Sequence, residues 1–202
     1  MRTARTGLCY RAPKVRDEFL RAIQGQIARA ATGSSAVRGK GNAGVAAAAR
    51  AYLAQLDLAK LAADPEAFPA LLNKRTGSLL KKFEGEARLR RGLARKLLNI
   101  YLRDAVPNVH LRTAYRLAAL ERHLELPLDE ETASRLLSDH ATLQKQNTRL
   151  PELPPWPGVF RLTLAVSSDY QTAAQKVARS RRLRSRVHLD AVYWGLDRAE
   201  ET

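Results

Sequence analysis

The apolar residues in the first part of the chain recur three and four positions apart, as they do on the buried face of a helix. This spacing predicts one helix over residues 15–31 and a second, alanine-rich helix over residues 45–61. Residues 32–44 are predicted to form a flexible linker, because they lack the spacing of a phosphate-binding loop and follow no strand. An aspartate and a proline at positions 64 and 65 predict a short helix that ends near residue 73.

The middle of the chain has the densest helical pattern. A turn at Gly92 is predicted to open a strongly amphipathic helix over residues 96–106, which Pro107 ends. Two further helices are predicted over residues 111–124 and 129–144, and the second has an aspartate at its start, where a capping side chain is favoured.

The last part of the chain is less regular. Residues 151–158 are rich in proline, which predicts a stiff extended connector. The weak alternation over residues 159–166 allows a strand, and residues 168–178 return to helical spacing. The apolar and aromatic residues 187–194 are predicted to pack back on the core.

Together these patterns predict an all-α fold of about eight or nine short helices. A chain of 202 residues can form one large domain or two small lobes. We expect a single domain, residues 1–202. In it, residues 1–74 and 151–202 form one lobe, and residues 75–150 form the other.

The net charge of the chain indicates the class of partner that it binds. It has 35 lysines and arginines against 20 acidic residues, a formal net charge of +15. An excess of this size favours a polyanionic partner, with nucleic acid first, although arginine is also common on solvated helices. The most basic stretch is residues 176–186. Its predicted DNA-binding residues are Lys176, Arg181, Arg182, Arg184 and Arg186.

The numbers of cysteines and histidines limit which disulfides and metal sites the chain can form. The single cysteine, Cys9, excludes an intramolecular disulfide and a cysteine-rich metal site. With four histidines and no carboxylates clustered around them, we expect no metal and no cofactor. The sequence has no apolar run of membrane-spanning length and no secretion signal. We therefore expect a cytoplasmic monomer.

Lys96 and Asp129 are the candidates for chemistry. Lys96 follows the glycine turn, where the helix dipole and the neighbouring Arg91 and Arg95 disfavour a cation and so favour an amine that can attack carbon. Asp129 could accept a proton or stabilise positive charge on a sugar. The same residues also allow a structural explanation, in which Lys96 is one cation among many and Asp129 only caps a helix.

The pair resembles the helix-hairpin-helix DNA glycosylases. Gly92 and Lys96 match the first glycine and the lysine of the family's Gly-x-Gly-x-Lys hairpin, and Ala94 stands where the family has its second glycine. Leu126-Pro127-Leu128-Asp129 matches the hydrophobic-Pro-hydrophobic segment before the family's catalytic aspartate. The long separation of hairpin and aspartate is similar to that in the archaeal oxoguanine glycosylase branch.

This resemblance implies a two-lobed glycosylase with AP-lyase activity that acts on double-stranded DNA. Lys96 would be the nucleophile and Asp129 its carboxylate partner, both facing one cleft, and a damaged purine or a hypermodified base of phage DNA would be flipped out and excised. The residues implied in contacts with the DNA backbone are Arg91, Gly92, Leu93, Ala94 and Arg95. The aromatic candidates for the base pocket are Tyr101, Trp156, Tyr193 and Trp194.

Arg103 and His110 support an alternative hypothesis. Their spacing resembles the motif of the metal-independent RNases of the HEPN class, in which histidine acts as a base and arginine stabilises the phosphorane. The structural explanation is that Arg103 pairs with Asp104 near a helix end. A third possibility is a DNA-binding protein without catalytic activity, which would use the same basic surface.

Overall fold

The computed structural model describes residues 13–33, 35–37, 42–146 and 149–200. Over these residues the chain forms nine α-helices and three 3₁₀ helices and no strand, which confirms the predicted all-α class. None of the helices in these ranges has the length and apolar character needed to cross a membrane. Cys9 and residues 38–41 of the predicted linker lie outside the described residues.

Most of the helices follow one another with short connections, and longer ones separate α1 from α2 and α7 from the 3₁₀ helix at Val159. The α-helices are α1 Pro13–Ala31, α2 Val45–Ala54, α3 Leu58–Ala62, α4 Phe68–Leu80, α5 Arg91–Ala105, α6 Val109–Tyr115, α7 Glu130–Gln146, α8 Leu164–Ser180 and α9 His188–Glu200. The 3₁₀ helices are Gly85–Leu89, Leu117–His123 and Val159–Arg161.

Two of the early helices have boundaries that differ from their predictions. The helix expected over residues 45–61 is interrupted, because the Asp57 carboxylate accepts a hydrogen bond from the Lys60 amide and starts α3 afresh. Asp64 caps a turn, where its carboxylate accepts from the amides of Glu66 and Ala67. The helix predicted to end near residue 73 therefore begins later, as α4, and runs to Leu80.

Two later predictions were wrong. The helix expected over residues 111–124 changes at Arg116, whose left-handed backbone (φ 55°) ends α6 and leads into a 3₁₀ helix. The strand allowed over residues 159–166 is absent. Its place is taken by the 3₁₀ helix Val159–Arg161 and by the start of α8, which the Thr163 hydroxyl caps by accepting from the Val166 amide. Residues 151–158 contain no helix or strand, as expected of a connector.

The region around Gly92 is helical where a turn was predicted. Helix α5 begins at Arg91, so Gly92 lies in its first turn and Lys96 lies further inside the helix. The strongly apolar pattern after residue 96 thus belongs to a longer helix than expected. Lys96 is held by a rigid, regular backbone, and its helix packs on its neighbours along nearly its whole first half.

The apolar side chains form two buried clusters. The first unites α1 to α6 and includes Leu53, Phe68 and Leu97. The second unites α7, α8 and α9 with residues just before α7, and it includes Leu126 and Tyr170. Most residues of the first cluster precede residue 125 and all those of the second follow it, although Val187 belongs to the first. The predicted lobes have other boundaries, at residues 74 and 150. The segment that leads to Asp129 runs along the division near residue 125.

Gly92 allows the two parts to approach closely. A Cβ at this position would lie 2.0 Å from the Val159 carbonyl oxygen. We therefore expect Gly92→Ala to lower the free energy of unfolding by about 1–3 kcal/mol, measured by chemical denaturation. Gly77→Ala is the matched control, because a Cβ there meets nothing within 4 Å in the middle of α4. That change should stabilise the protein by about 0.4–1 kcal/mol. Equal effects would contradict the close packing at Gly92.

Candidate active site at Lys96 and Asp129

Lys96 and Asp129 lie together. The Nζ atom of Lys96, in α5, is 3.2 Å from the Oδ2 atom of Asp129, which directly precedes α7. Both side chains are largely removed from solvent, with 10% of the lysine side chain and 21% of the aspartate side chain exposed. An ion pair this shielded is weakened less by salt than a surface pair. The amine and the carboxylate are thus held within reach of the same small volume.

Asp129 has two roles at once. Its Oδ1 atom accepts a hydrogen bond from the Thr132 amide at 3.0 Å, which caps the first turn of α7. Its Oδ2 atom faces Lys96. Leu126, Pro127 and Leu128 before it are buried and fix the entry of the chain into the helix. The structural explanation of Asp129 as a cap is therefore correct, and it leaves the second oxygen available for Lys96.

Two clefts meet at this pair. The first has a volume of about 550 Å³ and lies between α5, the start of α7 and residues 157–161. The second has a volume of about 350 Å³ and is bordered by α5 and α9. Lys96 and Asp129 line both, together with Ser35 and Ala36. A ligand in either cleft can reach the amine.

The second cleft contains an ion pair that connects α5 to α9. Arg103 donates from Nη1 to the buried Asp190 carboxylate at 2.5 Å and pairs through Nε with Asp104 at 2.8 Å. Burial raises the pKa of the Asp190 carboxyl, and the Arg103 charge opposes that rise. No spacing in the sequence connects these two residues. The only signal was a lone carboxylate within the apolar residues 187–194.

The four aromatic candidates for a base pocket are in different places. Tyr101 and Tyr193 are buried in the two cores, where Gln24 donates to the Tyr101 hydroxyl and the Tyr193 hydroxyl donates to Asp139. Trp156 lies against Tyr170, with ring centroids 5.3 Å apart. Trp194 is half exposed and lines the second cleft.

Arg95, predicted to contact DNA, faces inward. Its Nε and Nη2 atoms donate to the two carboxylate oxygens of Glu125 at 2.7 and 2.6 Å, and Nη1 donates to Asn73 and Thr76. Burial alone would raise the pKa of the Glu125 carboxyl, but hydrogen bonds from Arg95 and Asn99 hold it below its usual value. This network fixes α5 to the segment before Asp129.

The other hairpin residues that were predicted to contact DNA are also buried or paired within the protein. Gly92, Leu93 and Ala94 are buried, and the amides of the last two donate to the Arg90 carbonyl. Arg91 is half-buried and donates to Asn73 at 3.4 Å. The phosphate contacts expected from these amides stay a prediction, since α5 continues through them and the Val159–Arg161 turn covers Gly92.

The basic side chains of residues 176–186 lie in different environments. Arg186 donates to the carbonyls of His123 and Leu124, and Arg181 pairs with Asp139 at 2.7 Å. Arg184 is exposed and lies 4.0 Å from Glu121, Arg182 is exposed with a left-handed backbone, and Lys176 is half-buried on α8. Arg181 and Arg186 therefore take part in contacts within the fold, while Arg182 and Arg184 are exposed, and DNA contacts by this stretch stay a prediction.

Sequence reasoning missed two cationic residues, of which Arg161 lines the first cleft and Arg90 contacts a residue of its lining. The Arg90 guanidinium stacks over the Phe160 ring at 4.2 Å from its centroid, and Phe160 lines the cleft. Arg161, also in the lining, is exposed and has no ion-pair partner among the described residues. Only the fold brings Arg161 and Lys96 to the same cleft.

Arg103 and His110 are not brought into contact. Arg103 pairs with Asp104, as its structural explanation predicted, and lines the second cleft. His110 is exposed on α6, where its ring packs edge-on against Phe19 at 4.9 Å. It does not border the cleft that Arg103 lines. The spacing in the sequence therefore has no counterpart in a shared site.

The residues described include no group of three or more histidine, cysteine, aspartate or glutamate side chains placed to hold a metal ion. The charged groups that line the two clefts include the Lys96 amine, the Asp129 carboxylate and the guanidinium groups of Arg103 and Arg161. Comparison of this chain with models of protein families, with curated proteins and with solved structures finds no match.

Proposed function

We propose that this protein is a DNA glycosylase with AP-lyase activity, in which Lys96 is the nucleophile and Asp129 its carboxylate partner. The observation that carries the proposal is the 3.2 Å approach of the Lys96 amine to Asp129 where two clefts meet. The residues pair across a separation in sequence that only the fold closes. A cationic chain is suited to the polyanionic substrate.

The chemistry begins with a proton transfer. Lys96 must lose a proton to attack, and Asp129 is the adjacent acceptor. The free amine then forms a bond to C1′ of the sugar, while the glycosidic bond breaks and the base leaves with its electron pair and takes a proton from solvent. The attached nitrogen then loses a proton, its lone pair forms a C=N bond as the C1′–O4′ bond breaks, and O4′ takes a proton, which gives a protonated imine. Loss of a C2′ proton then eliminates the 3′ phosphate and nicks the strand.

The second cleft is suited to the flipped base. Trp194 offers a half-exposed ring for stacking, and the Arg103–Asp190 pair offers donors and acceptors beside it. A base with neighbouring carbonyl and N–H groups would satisfy both partners, as an oxidised purine does. A hypermodified base of phage DNA is the other candidate for the same cleft. The DNA backbone would lie towards the first cleft, near Arg161 and the stacked Arg90.

Borohydride trapping tests the proposal directly. The wild-type protein is incubated with duplexes that carry oxidised purines, glycosylated pyrimidines or an abasic site, and the imine is reduced to a stable adduct. We expect an adduct on at least one duplex, with mass spectrometry locating the sugar remnant on Lys96. Duplex binding without adduct or base release on any substrate would favour a DNA-binding protein without catalytic activity. RNA cleavage that depends on His110 would favour the RNase hypothesis.

Trp194 gives a test of the base pocket. We expect Trp194→Ala to lower the single-turnover excision rate about 10- to 100-fold, because stacking of a base on an aromatic ring is lost. Trp194→Phe should restore most of the rate, since the stacking surface is kept. Binding to an undamaged duplex, measured by fluorescence anisotropy, should be unchanged in both. An unchanged excision rate in Trp194→Ala would place the base elsewhere.

A further inference from the structure

The chain is irregular between the 3₁₀ helix Leu117–His123 and Asp129, and polar side chains bind both the end of that helix and the residues after it. Ser185 donates to the Glu121 carbonyl at 2.7 Å, and Arg186 donates to the carbonyls of His123 and Leu124. Arg95 forms an ion pair with the Glu125 carboxylate. Backbone groups outside regular structure are costly to bury unless they are paired. These contacts therefore fix the course of the segment up to residue 125.

Gln171 continues the series at the next residue. Its Nε2 atom donates to the Leu126 carbonyl at 2.8 Å, and its Oε1 atom accepts from the Leu126 amide at 2.9 Å. One side-chain amide thus satisfies both backbone groups of a residue that is distant in sequence. Gln171 itself is 4% exposed and lies among the apolar side chains of the second core. A buried amide in such surroundings is stable only with both of its partners in place.

The contacts of Leu126 matter because the chain leads directly from this residue to Asp129. Pro127 and Leu128 are buried, so the chain has little freedom between the Gln171 contacts and Asp129. On the opposite side, Arg95 holds Glu125 and is the residue next to Lys96. The amine is therefore anchored to α5, while the carboxylate is anchored to α8 through Leu126.

We propose that Gln171 is a positioning residue, whose paired hydrogen bonds to Leu126 hold the Asp129 carboxylate against Lys96. As a statement about catalysis, this rests on the proposed function. As a statement about geometry, it concerns only the contact between Lys96 and Asp129. Gln171 acts through Leu126 and touches neither reacting group, so its loss should change the rate of the chemical step and leave DNA affinity alone.

The test uses Gln171→Met, which keeps the length and volume of the side chain and removes both hydrogen bonds. Gln175→Met is the matched control. Gln175 lies one turn further along α8, and its side chain makes no hydrogen bond with another described residue. Single-turnover trapping rates, half-saturating DNA concentrations and crystal structures are obtained for both variants and for the wild type. Gln171→Glu is a second variant, which keeps the acceptor for the Leu126 amide and loses the donor for its carbonyl.

We expect Gln171→Met to trap about 100-fold more slowly at an unchanged half-saturating DNA concentration, the loss typical of a misplaced catalytic group. Gln171→Glu should fall between this variant and the wild type, and Gln175→Met should match the wild type. In the crystal, the contact between Lys96 and Asp129 should lengthen from 3.2 Å beyond ion-pair distance in Gln171→Met.

The two proposals fail separately. If the wild type forms no adduct on any duplex, the proposed function is wrong, and the crystal structures still decide whether Gln171 positions Asp129. If the contact and the trapping rate both persist in Gln171→Met, the positioning role is wrong even though the enzyme is active. If Gln171→Met does not fold, the same criteria apply to Gln171→Glu, for which an unchanged rate and contact would overturn the inference.

Discussion

Replacement of Lys96 by glutamine is expected to abolish the borohydride-trapped adduct completely. Glutamine has a similar reach but no amine, so it cannot form the imine that borohydride reduces. Folding should survive the change, because Asp129 keeps its cap contact with the Thr132 amide. DNA affinity, measured by anisotropy in the same buffer, should stay within a few-fold, since one shielded cation contributes little to phosphate contacts. A lost adduct at an unchanged DNA affinity would therefore show that Lys96 is needed for the chemical step and not for DNA binding.

Two companion variants make this result specific. Lys74→Gln removes an exposed lysine on α4 that is not among the predicted DNA contacts, and it should leave the adduct intact. Asp129→Asn keeps a good helix cap and removes the charge beside Lys96, and we expect it to lower the trapping rate about 10²- to 10⁴-fold. An adduct that persists in Lys96→Gln would exclude this lysine as the nucleophile. Full activity in Asp129→Asn would restrict that residue to capping.

Removal of the Glu125 carboxylate is expected to give the largest loss of stability. Glu125→Ala leaves the buried Arg95 guanidinium without its counter-ion, which typically lowers the free energy of unfolding by about 3–5 kcal/mol. Chemical denaturation at pH 7 provides the measurement. Glu86→Ala is the matched control, because its ion pair with Arg90 has a glutamate side chain that is 79% exposed. Such a surface pair contributes only about 0–1 kcal/mol.

The same pair predicts a dependence on pH. The pKa of Glu125 is lower in the folded protein than its usual value of 4.5, so the folded state binds this proton less well than the unfolded chain. The stabilisation is therefore fully present above the usual value and is lost as the pH falls through the lower, folded value. The difference in unfolding free energy between wild type and Glu125→Ala should shrink on acidification below about 4.5. A difference that is constant from pH 7 to pH 3 would contradict the ionised pair.

The sequence predicted the helices better than their ends. Apolar spacing located α1, α7 and α8 because it reports the face that each helix buries. It failed at Asp57 and Arg116, where a side-chain cap and a left-handed backbone interrupt the helix without a change in apolar spacing. It also failed at Gly92, which was interpreted as a turn residue. Because Gly92 has no side chain, the Val159 carbonyl oxygen can approach it closely, and these residues are far apart in sequence.

In the candidate site, too, the sequence predicted some features, and others depend on the fold. Lys96 and Asp129 were chosen as a nucleophile and a carboxylate from local residue types, and the structure places them in contact. Arg95 was chosen for its charge, but burial and the geometry of Glu125 turn it inward. Gln171 carries no chemical signal in the sequence. Its pairing with Leu126 depends on where α8 packs, which no local pattern encodes.

By itself, the sequence determined the all-α class and the cationic character, because these follow from composition and from periodicity along the chain. It named Lys96 and Asp129 as candidates through local motifs and a family resemblance. Only the tertiary structure decided that Lys96 and Asp129 meet at 3.2 Å between two clefts. It also decided that Trp194 and Asp190 border one of those clefts. Contacts of this kind arise from the packing of helices distant in sequence, and they depend on all the helices at once.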